Sequence, residues 1–143
     1  CRDVKAAAIG LHARGGGRIV TLNAEMTMTA RSLPELGQAI EGADLVMYDS
    51  AIEAATGSQT LVTDVWISMG DEEGTRREDF QPFQLNKELL AVAAGDAVVM
   101  HCLPAYRGKE IDESTLESHA NTIFTQAENR LHAQKSILNW LMN

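Results

Sequence analysis

No apolar run approaches the roughly 18 residues needed to cross a bilayer, and the start of the chain lacks the charged, apolar, then small-residue order of a secretion signal. Both absences lead to the expectation of a soluble protein. Basic residues are scarce: 12 Lys and Arg stand against 20 Asp and Glu, for a net charge of −8. That balance repels nucleic acid and anionic membrane, and no basic stripe offsets it. Cysteine is nearly missing. Cys1 and Cys102 lie far apart, whereas a disulfide-stapled secreted domain carries more thiols at regular spacings, so a reducing cytoplasm is the expected compartment. Metal-ligand spacing is also lacking, since His12 and His119 have no neighbouring ligand type at metal spacing and the adjacent His101 and Cys102, which could ligate zinc, have no second pair nearby. The first residue is Cys rather than Met, which suggests a cut end.

A chain of 143 residues is about one domain and buries roughly two thirds of its unfolded surface in a single core. Four apolar or β-branched runs read as strands: ADLVMYD (43–49), TLVTDVW (60–66), AVVMHC (97–102) and NTIFT (121–125). They are nearly continuous rather than alternating, which predicts strands covered on both faces. Between them LPELGQAIEG (33–42), NKELLAVAAG (86–95) and DESTLES (112–118) read as helices, and AENRLHAQKSILNWLM closes the chain as another. Gly42 and Gly95 follow helical patterns, where a left-handed cap is favoured. The expected fold class is therefore α/β, a doubly wound, mainly parallel sheet flanked by helices. In the last helix Leu131, Ile137, Leu138 and Leu141 share an apolar stripe that should pack on something. Near the start, KAAAIGLHA allows a helix and RIVTLNAEM a strand, while TMTARS fits neither.

The glycine triplet Gly15–Gly17 invites a phosphate-loop reading, but such loops run from strand into helix, and here the order is helix-like then strand-like. A plain turn is the expectation. More informative is TDVWISMGDEEGTRRED. The strand should end near Trp66, leaving Asp64 close to its carboxyl edge, with Ser68, Met69 and Gly70 in the loop beyond. Ligands of open α/β sheets bind outside those edges, and a loop this charged reads as a mobile lid. The plainer alternative is an exposed connection with a capping Asp64. In VVMHCLPAYRG the strand AVVMHC brings Cys102 to the same edge if the two strands are parallel. Pro104 stops it, and the Leu103–Pro104 bond is a candidate for the cis form, which would expose the Leu103 carbonyl. Beside an acidic residue the Cys102 thiol should be harder to ionise unless a cation arrives. Arg130, following NTIFT, is the candidate cation. A small buried cysteine and a surface arginine remain the plainer readings of each residue alone.

TDVWISMG, HCLPAYRG and AENRLHAQK, in this order and at these spacings, resemble the ornithine-binding half of the ornithine carbamoyltransferases. The resemblance is close from Leu61 to the C-terminus and loose over residues 1–60, so residues 1–143 are expected to form one ornithine-binding-type domain, half of a two-domain transcarbamylase. It implies transfer of the carbamoyl group of carbamoyl phosphate to the side-chain amine of ornithine, giving citrulline and phosphate in arginine biosynthesis or catabolism. By the same resemblance Asp64, Ser68 and the backbone of Met69 would hold the α-amino and carboxylate end of ornithine. Cys102 would accept a proton from the reacting amine, Leu103 would offer its carbonyl, and Arg130 would face carbamoyl phosphate. His101 belongs to the motif without a defined role. The resemblance calls for no metal or organic cofactor, and it implies a homotrimer for full-length members.

The family's Ser-Thr-Arg-Thr-Arg phosphate loop and His-Pro-x-Gln segment, both of its N-terminal carbamoyl-phosphate domain, do not occur among these residues, nor does the glycine-containing first turn of the ornithine domain. The expectation is a partial enzyme with little or no turnover alone, its last helix exposing the stripe that would pack on the other domain. A non-catalytic binding module that keeps the fold is the alternative. A cysteine hydrolase built on Cys102 and His101 ranks last, because adjacent strand residues point to opposite faces.

Overall fold

The computed structural model describes residues 6–13, 18–25, 43–66 and 77–143. The expectations for LPELGQAIEG, TMTARS, Gly15–Gly17, Gly42, Ser68, Met69 and the charged loop beyond them lie outside those residues. The chain opens with two paired strands, β1 (Ala6–Ala13) and β2 (Arg18–Glu25), running antiparallel from Ala6↔Glu25 to His12↔Arg18. KAAAIGLHA is thus a strand where its alanines allowed a helix. Pairing along both edges, to β2 and to β3 (Ala43–Tyr48), overrides a local propensity that differs by only a few tenths of a kcal/mol per residue.

After β3, Ser50 caps a short helix, α1 (Ala51–Ala55), by accepting the Glu53 N–H. Ala51, Ala54 and Ala55 are buried against the sheet, and Gly57, at φ 67, turns the chain into β4 (Thr60–Thr63). Beyond the undescribed loop come α2 (Arg77–Phe80), a 3-10 turn (Gln81–Phe83) and α3 (Lys87–Val92), the last capped by Asn86, whose side chain accepts from Glu88 and Leu89. Gly95 does not form the expected left-handed cap. The helix ends earlier, with Ala93 extended at ψ 175, because the Ala94 N–H is taken by the Ser58 carbonyl and the Val92 carbonyl by the Gly57 N–H. These cross-bonds lead into β5 (Val98–His101), and α4 (Glu113–Ser118) and α5 (Ala120–Met142) follow it in the chain.

The sheet order is β3-β1-β2-β4-β5. β2 pairs parallel with β4 and β4 with β5, while β1 opposes both of its neighbours, so four of the five strands share one direction. The expected mainly parallel α/β sheet is present, with one reversed strand inside it. Strands β4 and β5 are not covered on both faces, however. Leu61, Thr63, Val99 and His101 are buried, whereas Val98 is 40% exposed and Thr60, Val62 and Met100 are only half-buried. The buried face belongs to a core of Val20, Leu22, the α1 alanines, Leu85, Leu89, Ile111, Leu116 and Ile123.

NTIFT is not a strand but the first turns of α5. The β-branched residues suggested a strand; the good helix formers Ala127, Glu128, Arg130, Leu131 and Ala133 propagate a helix back across them at small cost per residue. Only Ile123 of that helix is fully buried. The predicted stripe faces outward: Leu131, Ile137, Leu138 and Leu141 are all more than half exposed, and Trp140 is 78% exposed. Among the described residues nothing covers it, and no helix is long and apolar enough to cross a membrane.

Candidate functional site

Strands β4 and β5 run in register from Thr60↔Val98 to Thr63↔His101, so the next residues, Asp64 and Cys102, leave the sheet side by side at its carboxyl edge. β4 stops there because the Val65 N–H turns back onto Asp64 Oδ1 at 2.7 Å, a local bond that competes with the strand ladder. Cys102 Sγ donates to the same oxygen at 3.0 Å. Burial and then the bond to, and charge of, Asp64 push the Cys102 thiol up to about 11, with Arg130 pulling weakly the other way. Arg130 itself is exposed and sits midway along α5 rather than just beyond a strand. The ligand-free site therefore holds a protonated thiol on an acceptor carboxylate, with a cation within electrostatic reach.

The chain next reverses. Leu103 has φ 55, in the left-handed region that a branched side chain seldom occupies, and the Leu103–Pro104 bond is cis, as the sequence suggested. His101 holds this corner from beneath. Its ring is fully buried, Nδ1 accepts the Leu103 N–H at 2.9 Å, and Nε2 lies 3.2 Å from Glu110 Oε1. Glu110 Oε1 also accepts the Tyr106 N–H, so two backbone amides of the corner end on one buried His–Glu pair. Both imidazole nitrogens are thereby engaged, which leaves His101 neither a metal ligand nor a base for Cys102. Among the described residues no group of three or more His, Cys, Asp or Glu is placed to hold a metal.

Of the residues singled out from the sequence, the structure brings Asp64, Cys102, His101 and Leu103 into one continuous cluster, with Arg130 outside it but close enough to act weakly on the charge of Cys102. Ser68 and Met69 fall outside the described residues. Glu110 was not singled out. Its backbone carbonyl accepts the Leu85 N–H at 2.8 Å, and that bridge between two loops carries the side chain inward; within RGKEI nothing local distinguishes it from a solvated glutamate.

A family model described as aspartate/ornithine carbamoyltransferase, Asp/Orn binding domain, matches residues 17–141. The ornithine carbamoyltransferase of Campylobacter hominis is 49% identical over 104 residues, which cover 71% of this chain and 34% of that protein. That of Methanospirillum hungatei is 52% identical over 99 residues, 68% of this chain and 33% of that protein. Among solved structures, the anabolic ornithine carbamoyltransferase of Campylobacter jejuni superposes with a TM-score of 0.63 at 40% identity, over 66% of this chain and 31% of that one. The Pyrococcus furiosus ornithine carbamoyltransferase gives 0.57 at 45% identity, over 62% of this chain and 29% of that one. The chain spans about a third of the length of the curated relatives it matches.

Proposed function

The chain belongs to the aspartate/ornithine carbamoyltransferase family through its Asp/Orn-binding domain, and on that footing we propose that it supplies the ornithine side of a carbamoyl transfer from carbamoyl phosphate. The observation that carries this reading is the Cys102–Asp64 contact at the carboxyl ends of parallel β4 and β5, where ligands of such sheets bind. Asp64, with Ser68 and the Met69 backbone, takes the amino-acid end of ornithine. Leu103 offers its carbonyl to the reacting amine.

An alkylammonium, with a pKa of about 10, must lose a proton before its nitrogen can attack. A thiol held at about 11 is protonated in the free chain and cannot take that proton. The incoming ammonium and Arg130 are both cations, and each favours thiolate. With substrate present these charges drive the thiol's own proton off to solvent, and only then is Cys102 a competent acceptor. The freed amine nitrogen then bonds to the carbamoyl carbon, the bond from that carbon to the phosphate oxygen breaks, the electron pair leaves with phosphate, and the second proton of the attacking nitrogen passes to that leaving phosphate. Arg130 offsets the charge on the leaving group. Binding of carbamoyl phosphate falls mainly to a complementary domain, so turnover requires that domain beside these residues.

Calorimetric titration of ornithine, with and without carbamoyl phosphate, tests the reading. Ornithine binding that weakens in Asp64→Ala supports the site; unchanged affinity in that variant sinks it. Citrulline formed on adding the carbamoyl-phosphate domain of a relative supports catalysis, and binding without citrulline points to the non-catalytic module instead.

A further inference from the structure

We infer that Glu110 is a positioning residue of this site, locking the His101 ring in the orientation and tautomer that hold the Leu103 corner. The inference rests on the ornithine reading above, because that reading uses the Leu103 carbonyl. A neutral imidazole has one donor and one acceptor nitrogen, and the Leu103 N–H, 2.9 Å from Nδ1, can only be accepted there if Nδ1 carries no proton. The ring proton must then sit on Nε2, where Glu110 Oε1 is the acceptor among the described residues, at 3.2 Å. A hydrogen bond at one nitrogen thus sets what the other can do.

The same carboxyl oxygen also takes the Tyr106 N–H, so Glu110 ties down both ends of the Leu103–Tyr106 corner, once directly and once through His101. His101 and Glu110 are both 0% exposed, so bulk solvent does not compete for this bond. The corner needs such a hold because Leu103 sits at φ 55, a conformation that non-glycine residues keep only where their surroundings over-determine it. Glu110 is itself anchored, its carbonyl accepting from Leu85 while the Lys109 carbonyl accepts the Gln84 side-chain amide at 2.7 Å. Rigidity passes from the core at Leu85, through Glu110 and His101, to the backbone beside Cys102.

The decisive measurement is the ¹⁵N signature of the His101 ring in the unaltered chain at neutral pH. A protonated Nε2 with a bare Nδ1 is expected; a proton on Nδ1 overturns the inference, whatever the variants do. In Glu110→Ala the ring should populate both tautomers, the Leu103 amide should exchange about tenfold faster or more, and ornithine affinity should fall about tenfold. Glu110→Gln, whose amide oxygen can take both donors, should restore the Nε2–H tautomer and the Leu103 protection. Unchanged tautomer and exchange in a folded Glu110→Ala chain refute the lock. Failure of the unaltered chain to bind ornithine refutes the ornithine reading on which the inference rests, and the ring signature then reports separately on the lock.

Discussion

The clearest consequence of the site's geometry concerns the reactivity of Cys102. Its thiol is moved from an ordinary 9.0 to about 11, so at pH 8 the thiolate fraction falls from about one in ten to about one in a thousand. A more basic thiolate is a better nucleophile, with a Brønsted slope of about 0.4–0.5, which recovers about a factor of ten. The net expectation is a reaction with a small disulfide reagent about tenfold slower than that of an unperturbed thiol. Because Cys102 is only half-buried, solvent screens part of the influence of Asp64 and the effect will lie at or below that figure. The pH profile is sharper than the absolute rate. The rate should keep rising about tenfold per pH unit to beyond pH 9.5 without a plateau. Peptide-resolved mass spectrometry separates Cys102 from Cys1. Asp64→Asn should bring the apparent pKa down but leave it above the ordinary value, since burial is the larger cause, and Arg130→Ala should move it further up. A plateau near pH 8, or an Asp64→Asn profile superimposable on that of the unaltered chain, refutes the reasoning.

Two further outcomes concern stability. Leu85→Ala removes a fully buried side chain from the core beside the Glu110 bridge and should cost about 2–5 kcal/mol in chemical denaturation. Asp112 caps α4, accepting the Thr115 N–H at 2.6 Å and the Ser114 hydroxyl at 3.2 Å. Burial raises its pKa, but the bonds from Thr115 and Ser114 outweigh that, and the net direction is below the ordinary 3.8. A depressed folded-state pKa means stability that is present above 3.8 and is lost as pH falls through the folded value. Asp112→Ala should therefore cost about 1 kcal/mol at pH 7, and part of that difference should fade in urea titrations repeated on the acid side of 3.8.

Much of this architecture could be read from residue order. Strands β3, β4 and β5 are apolar runs with sharp ends, and α3 and α4 begin at Asn86 and Asp112, side chains suited to cap a helix. Asp64 and Cys102 were legible because each directly follows such a run. Other parts were decided by distant partners. β1 is alanine-rich and becomes a strand only because strands lie on both sides of it. NTIFT is β-branched and becomes helical because the AENRLHAQK segment on its C-terminal side is strongly helical. Glu110 was invisible for a similar reason: its burial depends on Leu85, twenty-five positions earlier, pairing with the backbone around Ile111. Propensity reports what a segment would do alone, and these three segments are never alone.

The parallel pairing of β4 with β5 also means that the site exists only once a long crossover has closed. Asp64 and Cys102 are separated by 38 positions, and two parallel neighbours can meet only after the intervening chain has made its crossover. Closing such a loop costs entropy before any contact repays it. In the unfolded ensemble the thiol has neither Asp64 nor burial to restrain it and returns to ordinary reactivity. Cys102 thus carries a built-in readout of chain assembly: a brief pulse of thiol reagent during refolding marks the molecules whose two strands have not yet met.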